Sequence, residues 1–144
     1  MKEIMLWLWQ MPQHLLGLAL WDAFKVLEET YDTQYFYGKW FITLKVPRFG
    51  LSLGRYVFLG MTHRNIDLRH EKGHSDQSMR WGPLYLLAIG LPSAAGNLWD
   101  RLFHKEWPAE KRIKWYYSRW PEKQADRLGG VAWDNGMRVC KPGF

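Results

Sequence analysis

One stretch of this sequence has the residue types and the spacing of a metal centre, namely the pentad His-Glu-x-x-His at positions 70–74. Residues four apart lie on one face of a helix, so His70 and His74 can direct two imidazole nitrogens to one point. Zn²⁺ accepts such ligands and, in an enzyme, takes one further protein ligand and keeps a position open. Glu71 has a different use, because a carboxylate beside the ligands can deprotonate a water molecule at the metal.

The pentad alone does not decide the function. Two His residues on a solvated helix give the same five letters, and a sequence of this composition contains them by chance in roughly one case in a hundred. A third ligand has to be found. Metzincins supply a His in the continuation His-x-x-Gly-x-x-His. This chain has Gln77 and Arg80 where the Gly and the last His would stand, so that branch is excluded.

A downstream segment offers the other third ligand, a Glu that completes a His₂Glu set. Pro121 suits the first turn of a short helix there, and Gly129-Gly130 suits its end. Glu122 and Asp126 are four apart and therefore share a face of that helix. We expect Glu122 to complete the zinc ligands and Asp126 to accept the outer N–H of a ligand His, which fixes its tautomer.

The two segments together resemble the gluzincin zinc endopeptidases of the HtpX type. The shared residues are His-Glu-x-Gly-His and, downstream, Glu-x-x-Ala-Asp-Arg. The resemblance implies that His70, His74 and Glu122 bind zinc and that Glu71 is the catalytic base. In length the chain is closer to a minigluzincin. It also resembles small bacterial and phage-borne proteins that carry Trp-Gln-x-Pro-Gln near the start and Gly-Pro-Leu-Tyr-Leu after the pentad.

The composition indicates what kind of molecule positions these residues. At 144 residues, 47% hydrophobic and 24% charged, the chain is expected to form one domain over residues 1–144 rather than to be disordered, and the resemblance implies that this domain is zincin-like. The net charge of +6 favours acidic partners or an anionic membrane surface. Nucleic acid is not the expected partner, because the basic residues are scattered and form no known nucleic-acid motif. Cys140 is the one cysteine, which excludes an intrachain disulfide and a Cys-based metal site.

The apolar stretch Ile4–Trp21 lacks the features of a signal peptide and is too polar at its centre for a membrane span. We expect a helix from Pro12 to Glu29 that packs on the core, with a helix on a membrane surface as the alternative. The residues expected on its buried side are Leu15, Leu16, Ala19, Phe24 and Leu27.

A second apolar stretch, Trp81–Trp99, has 19 residues without a charge and is long enough to span a bilayer. Gly82-Pro83, Gly90 and Pro92 would weaken a helix exposed to lipid. We therefore expect a buried, broken helix here, and the alternative is a membrane-embedded or re-entrant segment. The resulting prediction is a cytoplasmic protein, with association to a membrane as the alternative.

The chain before the pentad is typical of β-structure. Thr33–Phe36, Lys39–Val46 and Ser52–Leu59 are rich in aromatic and β-branched residues, with turn signals at Gly38 and at positions 47–50. The gluzincin resemblance implies a small antiparallel sheet whose edge strand, beside the metal, pairs with an extended substrate. Ser52–Leu59 is the candidate for that edge, and an ordinary core strand is the alternative.

Thr62 or Asn65 is expected to cap the pentad helix, which should continue to about Met79. Gly73 is unfavourable inside a helix unless another element approaches closely, and the Glu122 helix is expected to do so.

A basic helix is predicted over Ala109–Arg119, just before the Glu122 segment. Its Tyr116 and Tyr117 are candidates for donating a hydrogen bond to a developing oxyanion, and two aromatics that cover the core are the alternative. From Val131 onward the chain is expected to be irregular.

These observations predict an α+β, zincin-like protein that acts as a zinc-dependent hydrolase, most simply a metallopeptidase with a peptide or protein substrate. The alternative is a non-catalytic, zinc-stabilised interaction or membrane-surface module. The presence of Glu71 favours the enzyme, because a purely structural site has no use for a general base.

Overall fold

The computed structural model describes residues 1–143, and for residue 2 the backbone alone. The chain begins with α1 (Lys2–Trp9) and α2 (Met11–Val26), followed by β1 (Thr30–Phe36), β2 (Lys39–Leu44), β3 (Gly50–Leu53) and β4 (Tyr56–Gly60). Next come α3 (Asn65–Trp81), a 3₁₀ turn (Gly82–Leu84), a π-helical turn (Leu86–Gly90) and α4 (Leu91–Phe103). The last elements are α5 (Ala109–Tyr117), α6 (Glu122–Leu128), β5 (Val131–Asp134) and β6 (Met137–Cys140). The fold class is α+β, as predicted.

The larger sheet has the strand order β1-β2-β4-β3 and is mixed, because β2 and β4 run parallel. The prediction of an antiparallel sheet was therefore wrong. The predicted strand Ser52–Leu59 is also divided, since Gly54 takes a positive φ of 64° and turns the chain at Gly54-Arg55. Two reversals, before and after β3, return β4 to the direction of β2. Only the first half of the predicted edge strand lies at the edge, as β3.

The sheet is covered on both faces, and β4 is its buried centre. On one face, Leu53, Tyr56 and Phe58 pack against Leu20 and Phe24 of α2, along with other apolar residues. On the other face, a cluster of Phe41, Val57 and Leu59 packs against Leu68 of α3. A strand buried on both sides has few polar positions, which is why Tyr56–Gly60 reads as a nearly continuous apolar run.

Helix α2 ends at Val26 rather than at Glu29, and most of its predicted buried side was wrong. Its buried residues are Gln13, His14 and Gly17. Of the predicted set, Phe24 packs on the core, while Leu15, Leu16, Ala19 and Leu27 are exposed. The reason is that the first half of the helix docks through polar residues and a glycine, while Leu20, Trp21 and Phe24 of its second half pack on the sheet. Gln13 donates to Ser78 Oγ and to the Gly82 carbonyl, both at 2.9 Å.

The stretch Trp81–Trp99 is broken, as predicted, but it is buried only in its first half, at Gly82, Tyr85 and Ile89. Within the described chain, no residue of α4 is buried. The side of α4 that faces the protein holds small or polar residues, including Gly96 and Asp100, so the large apolar residues point outward. None of the helices in residues 1–143 has both the length and the apolar character that crossing a bilayer requires.

Two smaller predictions were also wrong. The cap of α3 is Arg64, whose backbone N–H donates to Asp67 Oδ2 at 2.9 Å, while Thr62 donates to the Pro47 carbonyl instead. After Val131 the chain is not irregular, because β5 and β6 form an antiparallel hairpin. Its turn is Asn135-Gly136, and both residues have positive φ (47° and 79°). Asn-Gly is a strong signal for such a hairpin turn.

Candidate metal centre

Helices α3 and α6 approach each other at two glycines. A Cβ at Gly73 would lie 1.9 Å from the Ala125 carbonyl oxygen, and one at Gly129 would lie 1.9 Å from the Arg69 carbonyl oxygen. No side chain fits at either position, so the two backbones can be this close only because both residues are glycine. The predicted close approach at Gly73 is confirmed. This packing places the buried face of α6 directly against the pentad.

His70, His74 and Glu122 meet in this contact, and all three are buried. Glu122 Oε2 lies 3.0 Å from His70 Nε2 and 3.1 Å from His74 Nε2, and the two Nε2 atoms are 3.1 Å apart. Ligands about 2.0–2.1 Å from a tetrahedral ion are about 3.3–3.4 Å from one another. A metal ion would therefore need the three side chains to separate by only a few tenths of an ångström.

Asp126 sets the tautomer of His70. Its Oδ1 lies 2.7 Å from His70 Nδ1, and a carboxylate can only accept, so the Nδ1–H donates to it. Arg138 of β6 holds this carboxylate with two hydrogen bonds, of 2.9 and 2.5 Å. Burial opposes the charge on Asp126, but the bonds to His70 and Arg138 keep its pKa below the ordinary value. The Nε2 lone pair of His70 is therefore directed at Glu122.

Gln77 sets the tautomer of His74. The backbone carbonyl of Pro121 can only accept, so the Gln77 atom 3.0 Å from it is the amide nitrogen, which also donates to Gln124 Oε1. The other amide atom, Oε1, then faces His74 Nδ1 at 2.7 Å and accepts its N–H. The Nε2 lone pair of His74 is directed at Glu122 as well.

Two imidazole lone pairs and a carboxylate thus converge on one buried point, where only a cation or a proton can satisfy them. Burial disfavours the charged imidazolium of His70, but its bonds to Asp126 and Glu122 outweigh this and raise its pKa to about 9. Burial likewise opposes ionisation of Glu122, yet both imidazoles hold its pKa well below the usual range. Glu122 Oε1 is buried and has no hydrogen-bond partner among the described residues. This donor set fits a metal ion.

Glu71 lies beside the group but is not one of the three converging residues. Its Oε2 is 2.8 Å from Ser52 Oγ, and a Cβ at Gly50 would be 2.3 Å from its Oε1. The carboxylate therefore rests against the backbone of the edge strand β3. Tyr85 helps to hold Ser52 in position, because its buried hydroxyl donates to the Ser52 carbonyl at 2.8 Å. The charge of Glu71 contributes to the raised pKa of His70.

Tyr116 and Tyr117 both cover the group. The ring of Tyr117 stands edge-on to His70 with 5.0 Å between the ring centroids, and the Arg138 guanidinium lies 3.4 Å from its ring centroid. Burial raises the pKa of Tyr117 to about 12, although Arg138 opposes the shift. Burial and the charge of Glu122 also raise the pKa of Tyr116. Both phenols stay protonated and can donate hydrogen bonds.

Sequence reasoning missed four residues of this site. Gln77 follows His74 by three positions, and this helical spacing could have indicated a contact. Arg138 lies on the hairpin that was expected to be irregular. Ser52 and Tyr85 carry no local signal, because each acts through a partner about twenty or more residues away.

The arrangement as a whole is a buried group that could hold a metal ion, with a carboxylate and two protonated phenols close by. No known protein family, curated protein or solved structure matches this chain.

Proposed function

We propose that this protein is a zinc-dependent hydrolase of the gluzincin type, acting as a peptidase. The observation that carries the proposal is the convergence of the His70 and His74 Nε2 atoms with Glu122 Oε2, each pair 3.0 to 3.1 Å apart. Glu71 stands next to this group and is held by Ser52 rather than by the ligands. A site used only for folding would not need such a carboxylate.

Zinc is the metal that these ligands favour. Two imidazoles and one carboxylate form a known catalytic zinc set that leaves a position open, and imidazole suits zinc better than magnesium or calcium. Asp126 and Gln77 accept the outer N–H groups of the two His residues, which is the usual support for His ligands of zinc. A bound zinc ion would polarise a carbonyl group and make water more acidic.

The residues of the chain supply the remaining chemistry. Glu71 would take a proton from the attacking water and deliver it to the leaving amine. Ser52 and the close backbone of Gly50 keep that carboxylate in place. Tyr116, which remains protonated, would donate a hydrogen bond to the oxygen on which negative charge develops.

The position of β3 supports a peptide as substrate and a zincin-like arrangement of the fold. This short strand is at the edge of its sheet and contacts Glu71 through Ser52 and Gly50. An extended peptide could pair with such an edge and pass over the metal group. The Ser52 carbonyl is already bound by Tyr85, so pairing would begin to one side of Ser52.

The second candidate is a zinc-stabilised module without catalysis. It is favoured by the burial of the whole group, because Glu122 is 3% exposed and even Glu71 only 8%. In that case the metal would hold α3 to α6, and the hydrogen bond to Ser52 would be the only use of Glu71.

Metal analysis combined with a peptide-library cleavage assay tests the proposal. We expect about one zinc per chain and cleavage that chelation abolishes. Glu71→Gln keeps the shape but removes the basicity, so zinc content and melting temperature should hold while cleavage falls by about 10² or more. Cleavage that survives this substitution rejects the mechanism. Bound zinc without any cleavage of peptides, esters or proteins supports the structural module.

A further inference from the structure

Helix α4 presents an apolar face that nothing in the described chain covers. Leu91, Leu98 and Leu102 lie on one side of the helix and are 62, 57 and 58% exposed. We call this surface the α4 face and define it by six exposed side chains, namely Leu87, Leu91, Leu98, Trp99, Leu102 and Phe103. Contiguous exposed apolar surface of this kind marks a binding surface for a protein or a membrane.

The exposed charges on α4 and on the segment that follows it are mostly positive. Asp100, its one acidic residue, is turned inward and pairs with Arg112 of α5 at 2.6 Å. Arg101 is exposed, and the exposed charged residues from 101 to 119 include five basic ones against two acidic ones, a difference of +3. The basic residues are Arg101, Lys105, Lys111, Lys114 and Arg119, and the acidic ones are Glu106 and Glu110.

We infer that the α4 face docks onto the surface of an anionic lipid bilayer. A helix of 13 residues is about 20 Å long, too short for a hydrocarbon core of about 30 Å, so it lies in the plane of the interface. Leucines would enter the acyl boundary, with Trp99 at the level of the headgroups. The neighbouring basic residues match anionic headgroups. A second copy of the chain fits less well, because pairing two α4 faces would bring like charges together.

Docking in this way would bring the metal group close to lipid. The inner side of α4, at Pro92 and Gly96, lines the same small cavity as Tyr116 and Glu122. The group therefore lies about one helix diameter, roughly 10–12 Å, from the outer side of α4. If the proposed hydrolase function holds, the substrates are polypeptide segments next to a membrane. The docking itself does not depend on that function.

Vesicle flotation tests the inference with the full chain. Vesicles of phosphatidylcholine with about 30% phosphatidylglycerol should carry the protein at low salt, and pure phosphatidylcholine should carry much less. Leu98→Glu combined with Leu102→Glu should weaken binding about tenfold or more, since both side chains would leave the bilayer. Val26→Glu makes the same kind of change at an exposed site on α2 and should bind like the wild type.

Several outcomes would overturn the inference. These are no flotation with anionic vesicles at low salt, equal flotation with neutral vesicles, or a double variant that floats like the wild type. A wild-type dimer that the double variant converts to a monomer would assign the α4 face to a second copy instead. Circular dichroism and zinc content verify that the variants are folded. Glu71→Gln should float normally, so a failed hydrolase proposal and a failed docking inference give different results.

Discussion

Gln77 Oε1 accepts the Nδ1–H of His74 at 2.7 Å, and this contact decides which nitrogen of His74 faces Glu122. The direction of the amide is set in turn by the Pro121 carbonyl, which can accept but not donate. A residue just outside the His-Glu-x-x-His pentad thus links helix α3 to the residue that precedes Glu122.

Gln77→Leu should weaken zinc binding by about 10–100-fold, because His74 would lose the acceptor that holds its tautomer and ring orientation. Competition with a fluorescent chelator measures the affinity. Gln77→Glu keeps an acceptor for the N–H and should lose less. Equal losses of zinc affinity in the two variants would show that the amide N–H groups of Gln77, rather than its oxygen, support zinc binding.

Glu122→Ala removes one of the three converging ligands, so zinc affinity and thermal stability should fall together. In the wild type, a chelator should lower the melting temperature by about 10 °C or more if zinc is present at about a thousand times its Kd. The variant should melt at nearly the same temperature with and without chelator. Differential scanning calorimetry measures both melting temperatures. A wild-type melting temperature that is the same with and without the chelator would argue against a metal site.

Gly73→Ala should destabilise the protein by about 1–3 kcal/mol or more, since the new Cβ would meet the Ala125 carbonyl at 1.9 Å and force α3 and α6 apart. Zinc affinity should fall with it. Gly96→Ala is the matched control, because its Cβ would be 3.7 Å from the nearest atom, Tyr116 Cε2. That control should be neutral or stabilising by up to about 1 kcal/mol. Denaturant titration distinguishes the two outcomes.

His14 should make stability depend on pH. Burial, with Arg55 close by, lowers its pKa from 6.5 to about 4, so the unfolded chain binds a proton more readily than the folded chain. The stabilising contribution is complete above pH 6.5 and is lost as the pH falls through about 4. His14→Asn does not titrate and keeps a donor for the Trp7 carbonyl. The difference in the free energy of unfolding between wild type and variant should shrink on acidification, and a constant difference would contradict the assignment.

Much of the candidate metal centre could be predicted from the sequence, because the pairing of its residues depends on spacing within each helix. His70 and His74, like Glu122 and Asp126, are four apart, and any helix of 3.6 residues per turn puts such pairs on one face. Gly73 likewise indicated a close neighbour, and α6 is that neighbour. The roles of zinc and of Glu71 as a base remain predictions.

The predictions that failed concern relations between distant segments. The amphipathic pattern of α2 did not indicate which side is buried, because Gln13 docks through Ser78 and Gly82. The parallel pairing of β2 with β4 depends on the turn at Gly54-Arg55, which divides what looked like one strand.

By itself the sequence determined that His70 and His74 share one face of a helix and that Glu122 and Asp126 share a face of another. Helical periodicity is local and acts over about one turn, so it can be read from spacing alone. Only the tertiary structure decided that Arg138 holds Asp126, that the Pro121 carbonyl sets the direction of the Gln77 amide, and that the apolar side of α4 faces outward. These relations join different elements of the fold. They depend on how whole elements pack, and no pattern within a single element specifies that.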